Sequence, residues 1–159
     1  MTIRRVSIIG ALWLLLIMAS LVNAPGCRLN SLPPATTVAP VDSSFYGRMG
    51  DSLGVSVIMD SLLSQVRADP AISHYFTGID TTAFKIGMAA QLCQWVGGPC
   101  TYAGPSMDSV HRGLDIDTAQ FNAFISDYLN AMNSVGVADS DQNRVLTYLV
   151  SYENEIVGK

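Results

Sequence analysis

From Phe45 onward, apolar residues recur at intervals of three and four and nowhere alternate in twos, and this period restricts the fold more than any other feature. Side chains spaced this way share one face of a helix, whereas a half-buried strand needs period two. Asp51 is positioned to cap a first helix with Val55, Ile58, Leu62, Leu63 and Val66 on one stripe, stopped by Asp69-Pro70. Asp80-Thr81-Thr82 opens a second, with Phe84, Met88, Leu92 and Val96 at every fourth residue and Gly97-Gly98-Pro99 at its end. Asp117 with Gln120 forms a capping box for a third, bearing Phe121, Phe124, Ile125, Tyr128, Leu129 and Met132 and closed by Gly136. Asp139 or Asp141 starts a fourth, with Val145, Leu146, Leu149, Val150, Tyr152 and Ile156. The expected fold is all-α, one domain over residues 45–157.

The residues ahead of this domain have a different character. Two arginines, an uncharged run from Val6 to Val22 and then small residues form the layout of an export signal over residues 1–26. Ala24-Pro25-Gly26-Cys27 resembles a bacterial lipoprotein box, which makes Cys27 a candidate lipidation site; cleavage after Ala24 and retention of the segment as an anchor are the alternatives. Residues 28–44, rich in Pro, Thr, Ser and Ala, are expected to be a flexible linker tethering the domain to a membrane on the cell-envelope side. With 9 Lys+Arg against 13 Asp+Glu and no basic run beyond Arg5, the chain has no nucleic-acid footprint. An oxidising compartment permits a bridge between Cys93 and Cys100. Seven residues of continuous helix would hold them about 10 Å apart, too far to bond. The Gly-Gly-Pro break allows the chain to turn back, so a bridge and two free thiols both remain open.

About twenty residues, from Gly97 to Ile116, separate the second and third long helices, and connections of that length in compact domains are usually functional or disordered. Within them lies "GPSMDSVHRGL", where Met107, Val110, His111 and Leu114 take i, i+3, i+4 and i+7 of a short helix. The imidazole thus points the same way as the hydrophobes. Each ring nitrogen of an inward histidine needs a partner, and backbone carbonyls are the commonest. The residues expected to face His111 are apolar: Leu63, Phe76, Phe84 and Met88. A single imidazole against an apolar slot suits an axial ligand to a flat apolar cofactor, with haem iron the foremost candidate. No Cys-x-x-Cys-His is present, so the expected group is non-covalent haem b.

These residues resemble a known family. "SFYGRMG", "VRADPAISHYFTGID", "WVGGPCTYAGPSM" and "VHRGLDIDTAQF" together make the chain from Phe45 to Val157 similar to a truncated haemoglobin of the first group, in which two helix pairs pack around haem, two over two. The resemblance implies that His111 is the proximal iron ligand and that Phe76 stacks on the haem. It places Leu63 where the family usually has a distal tyrosine, Met88 where a polar residue commonly assists, and Phe84 at the gate between them. Tyr75, Leu92, Met107, Val110 and Phe121 are further expected lining residues, with Tyr102, Lys85 and Thr82 at the haem edge and propionates. Gln91 is a substitute donor, Met88 an alternative thioether ligand, and His74 a surface residue. The implied partners are the diatomic gases O2, NO and CO, or an electron, with binding rather than catalysis as the main role and nitric oxide dioxygenation as the family's enzymatic variant. An apolar distal side implies fast oxygen release.

Two other classes compete. "GDSL" at residues 50–53 and "DSVH" at 108–111 resemble blocks of GDSL-type esterases, with Ser52 as nucleophile, His111 as base and Asp108 orienting it, but that family needs a parallel sheet. A non-catalytic helical lipoprotein domain that merely packs His111 is the other. "DSDQN" at 139–143 imitates a calcium loop, yet Arg144 replaces its glycine and Val150 its glutamate; it reads as a helix cap.

Overall fold

The computed structural model describes residues 43–159; the expected export signal, Cys27 and nearly all of the linker lie outside the described residues. Seven α-helices are found among the described residues: α1 (Phe45–Arg48), α2 (Asp51–Ala68), α3 (Thr81–Trp95), α4 (Met107–His111), α5 (Thr118–Ser134), α6 (Asp139–Ser151) and α7 (Glu153–Ile156), with a 3-10 turn at Ser73–Phe76 between α2 and α3. Helix α2 packs on both α3 and α5, and α5 packs on α6. Ile58, Leu62 and Val66 of α2, Leu92 of α3, Tyr128 and Met132 of α5 and Val145 of α6 are completely or almost completely buried where these helices meet. Removing this apolar surface from water drives the packing, at about 25 cal/mol per Å².

Two of the caps form as expected. The Asp80 carboxylate accepts from the amides of Thr82 and Ala83, and Asp117 and Gln120 make the reciprocal capping box. The other two do not. Gly50, at φ 83°, precedes α2, and Asp51 is its first residue with no side-chain cap. Gly54 lies so close to the preceding turn that a Cβ there would sit 2.0 Å from the Met49 carbonyl oxygen, so the two glycines let α1 fold back on α2. At α6 the cap position is Ala138, again without a side-chain bond. Asp141 instead accepts two 2.8 Å bonds from Nε and Nη2 of Arg48 in α1. Those hydrogen bonds, helped by the charges of Arg48 and Arg144 and opposed by burial, hold the Asp141 carboxyl below the usual carboxylate range. The pair therefore contributes stability that is lost as pH falls through that lowered value.

The fourth stripe also differs from expectation: Val150 is exposed, and α6 ends at Ser151 before the separate turn of α7. The segment around His111 is shorter than two turns. Ser106 caps α4, which stops at His111, and Leu114 lies beyond its end. Behind it, Gly158 N–H donates to the Ile116 carbonyl and Asp115 N–H to that of Lys159, tying the end of the chain to the residues that follow His111.

Asp127 is buried on α5 with one carboxylate oxygen unpartnered. Burial, and then the charge of Asp69, pushes its carboxyl above the ordinary value. A raised native pKa favours folding only below the unfolded value of about 3.9, and that contribution vanishes as pH rises through the native one. Asp127→Asn is thus expected to stabilise the fold by about 1 kcal/mol at pH 7. The gain should disappear below pH ~4, where both states of Asp127 are protonated. Urea unfolding of both proteins at the two pH values checks this, and an unchanged midpoint at pH 7 would refute it.

Candidate functional site

A cavity of about 870 Å³ opens between α3, α4 and α5, toward the upper end of the range for small-molecule sites. Helix α3 lines it along a stripe of small and medium side chains, Ala83, Gly87, Ala90 and Gln91, with Phe84, Ile86 and Met88 beside them. Helix α4 contributes Met107, Val110 and His111, and Leu114 follows beyond its end. Helix α5 contributes Gln120, Phe121 and Phe124. Ile86, Val110 and Leu114 are 65, 44 and 40% exposed, although each borders the cavity. Exposed apolar groups gathered around one concavity indicate a surface suited to a large apolar ligand.

His111 is the group here with a chemistry of its own. Its Nδ1 lies 2.7 Å from the Met107 carbonyl oxygen one turn earlier. A carbonyl only accepts, so Nδ1 carries the proton and Nε2 keeps a lone pair in the neutral ring. This is the tautomer a metal-ligating histidine needs, oriented by a bond from its other nitrogen. Gln91 is buried, and its amide nitrogen points to the Met107 sulfur at 3.8 Å, a weak acceptor. Tyr75 donates to Gln120 Oε1, which also accepts from the Asp117 amide. Phe76 meets Phe84 edge-on at 5.5 Å and lies nearly parallel to Phe124 at 6.4 Å, so the corner turn presents a row of rings.

Tyr75, Phe76, Phe84, Met88, Tyr102, Met107, Val110, His111 and Phe121, all expected from the sequence, border this one cavity, as does Gln91. Four expected residues do not. Leu62, not Leu63, enters the α2 core; Leu63 is half-buried beside a shallow hollow with Asp60 and Arg67. Leu92 is wholly buried in the α2–α3 contact. Lys85 Nζ donates to Asp60 at 2.7 Å, drawn to α2 by an opposite charge. Thr82, exposed in the first turn of α3 with its amide in the Asp80 cap, is absent from the lining, and His74 is exposed in the corner turn. The residues that sequence reasoning missed include Ile79, Ala83, Ile86, Gly87, Trp95 and Tyr152. Ala83, Gly87 and Ala90 carry a detectable signal, a small-residue stripe at i, i+4, i+7.

Cys93 and Cys100 are joined in a disulfide with Cα atoms 5.7 Å apart. Gly97, at φ 79°, reverses the chain, and the Gly98 amide donates to the Cys93 carbonyl at 2.8 Å. A Cβ on Gly98 would come within 2.6 Å of Cys93 Sγ and of the Tyr46 ring, so only glycine fits this turn. The esterase triad is not assembled. The Asp108 carboxylate bonds Arg112, His111 Nδ1 is taken by Met107, Ser52 is exposed and does not border the cavity, and no strand occurs among the described residues.

Comparison with known proteins agrees with this architecture. The family model described as bacterial-like globin matches residues 44–157. The group 1 truncated hemoglobin GlbN of Nostoc sp. is 26% identical over 117 residues, which cover 74% of this chain and 99% of that protein. A group 1 truncated hemoglobin of Tetrahymena pyriformis is 22% identical over 73% of this chain and 96% of its own. Among solved structures, the Fe(III) form of the Tetrahymena pyriformis protein superposes with a TM-score of 0.69 at 22% identity, covering 73% of this chain and 99% of that one. The 2/2 hemoglobin of Synechococcus sp., described as carrying covalently attached heme, superposes at 0.68 with 19% identity over 74% and 100%. A helical frame of two long pairs, a cavity with one oriented imidazole and a family model spanning the whole folded region lead to one assignment: the chain belongs to the bacterial-like globin family, as a group 1 truncated haemoglobin with the 2/2 globin fold.

Proposed function

We propose that the cavity holds haem b non-covalently, that His111 Nε2 is the atom that would bind its iron, and that the protein binds a diatomic gas reversibly. The observation that carries this reading is the 2.7 Å bond from His111 Nδ1 to Met107 O, which leaves a lone pair at the edge of a large apolar cavity. The residues fit the group. Phe76, Phe84 and Phe121 supply flat apolar contact, the stripe Ala83–Gly87–Ala90 leaves depth for a planar ring, and Ile86, Val110 and Leu114 gain cover. When bound, haem supplies an iron centre able to take O2, NO or CO. Non-covalent binding is supported by the Cys93–Cys100 bridge, which occupies both cysteines of the described residues. An absorption spectrum of the purified protein, ferric, ferrous and under CO, tests the assignment: a Soret band that shifts with each state is expected, and a colourless protein overturns it.

Phe84 and Met88 line the α3 side, where they exclude water and offer no hydrogen-bond donor. A charge-assisted bond contributes about 1.5–3 kcal/mol, so its absence is expected to speed oxygen release by roughly ten- to hundredfold relative to globins that have a donor. Met88→Gln should slow release by about tenfold, the lower end of that range. Stopped-flow measurement of the off-rate checks both; release already slow in the unaltered protein would mean that the Gln91 amide leaves Met107 and serves as the donor. The same proposal includes export and tethering at the cell envelope. The leader over residues 1–26 and the disulfide, a bond that persists in oxidising compartments, support it. Among the described residues no helix is long and apolar enough to cross a membrane.

A further inference from the structure

Trp95, near the end of α3, and Tyr152, at the end of α6, both border the cavity. Their rings lie 5.9 Å apart, centre to centre, at 26°. The Trp95 indole also lies 5.6 Å from the ring of Tyr148, one helical turn before Tyr152, and the two planes are parallel to within 4°. Tyr148 is 39% exposed, while Trp95 and Tyr152 are half-buried. Three oxidisable rings in stacking contact therefore run from the cavity lining to the surface. Offset stacking adds only modestly to what burial of each ring contributes. Phenylalanine at positions 148 and 152 would keep the same ring contacts, so stacking alone does not require phenols there.

We propose that Tyr152, Trp95 and Tyr148 form an electron path between the cavity and solvent, with Tyr148 as a surface site where small aromatic one-electron donors, such as phenols, deliver electrons. The proposal rests on the reading that the cavity holds haem, and it assigns the residues that carry electrons to an organic hydroperoxide reduced there. The overall balance is ROOH + 2 ArOH → ROH + H2O + 2 ArO•. The O–O bond breaks as the hydroperoxide takes two electrons and two protons in the cavity. Each electron leaves Trp95 or Tyr152 singly and is replaced from Tyr148, whose phenol gives its proton to water. A donor phenol then returns one electron and one proton to Tyr148, twice per turnover. Tyr75 and Tyr102 also border the cavity, but they engage Gln120 and the Pro105 carbonyl and are not part of this stack.

The test treats the purified protein with cumene hydroperoxide in the presence of a nitroso spin trap, without added phenol, and maps the trapped adduct by peptide mass spectrometry. The adduct is expected on Tyr148. It should be lost in Tyr148→Phe, which keeps the ring stack and lies outside the cavity lining, with the Soret band and helical content unchanged, and strongly reduced per haem bound in Trp95→Phe. Hydroperoxide-driven oxidation of guaiacol should fall in parallel. Adducts on Tyr75 or Tyr102 in a protein with its Soret band, undiminished by either variant, overturn the path while leaving the haem reading intact. A protein with no Soret band overturns both.

Discussion

Replacing His111 by glycine is expected to abolish the Soret band of the purified protein, and adding free imidazole to restore it. The ring occupies the end of a five-residue helix, is half-buried, and hydrogen-bonds the carbonyl of Met107. Losing that bond costs the fold about 1 kcal/mol. The long helices take their stability from the α2–α3–α5 core, which His111 does not enter. Circular dichroism should therefore be nearly unchanged while the visible spectrum is lost. Added imidazole refills the cavity left by the deleted side chain and offers the same lone pair without the chain. A histidine that only packs against hydrophobes would give the opposite pattern: a less stable protein, an unchanged spectrum and no response to imidazole.

How far these features can be read from the sequence depends on the range of the forces that set them. Helix period and the Asp80 and Asp117 caps are decided within four residues, and the sequence states them correctly. Asp141 is different, because its partner Arg48 lies 93 positions away, and a bidentate bond to it outweighs any local capping. Lys85 is placed by the same kind of distant contact, since Asp60, 25 positions back, accepts from its ammonium group. For Leu63 the deciding factor is rotation. Leu62 and Leu63 differ by about 100° around a helix of 3.6 residues per turn. Only tertiary packing decides which of two adjacent leucines enters the core. On the α3 face of the cavity Phe84 and Met88 are legible as large hydrophobes at helical spacing, whereas Ala83, Gly87 and Ala90, which leave room beside them, carry no hydrophobic period. His111 was legible because a polar ring at i+4 of Met107, on an otherwise apolar face, is anomalous without tertiary information.

Removing the disulfide with Cys93→Ser and Cys100→Ser is expected to lower the melting temperature by roughly ten degrees and to speed loss of the bound cofactor. The bridge closes a loop with a sequence separation of 7. Closing so short a loop restricts the unfolded chain by an amount equivalent to about 2–3 kcal/mol. For a domain of this size each kcal/mol moves the midpoint by about 4 °C. The second effect follows from what lies downstream. Thr101, Tyr102, Ala103, Gly104 and Pro105 border the cavity directly and connect the bridge to α4, which carries His111. Apart from the bridge, this stretch is held back to α3 by the 2.6 Å bond from the Tyr102 amide to Gln94 Oε1, while the Tyr102 hydroxyl bonds its own neighbour Pro105. With one tie left instead of two, the wall opens more often and the ligand escapes sooner. Differential scanning and haem transfer to an acceptor apoglobin measure the two effects. Dithiothreitol should reproduce both in the unaltered protein and change nothing in the double-serine variant. If the reductant changes neither the melting temperature nor the rate of haem loss, and the variant melts with the parent, then the Gly97-Gly98 turn alone fixes the loop and the bridge is incidental to the cavity.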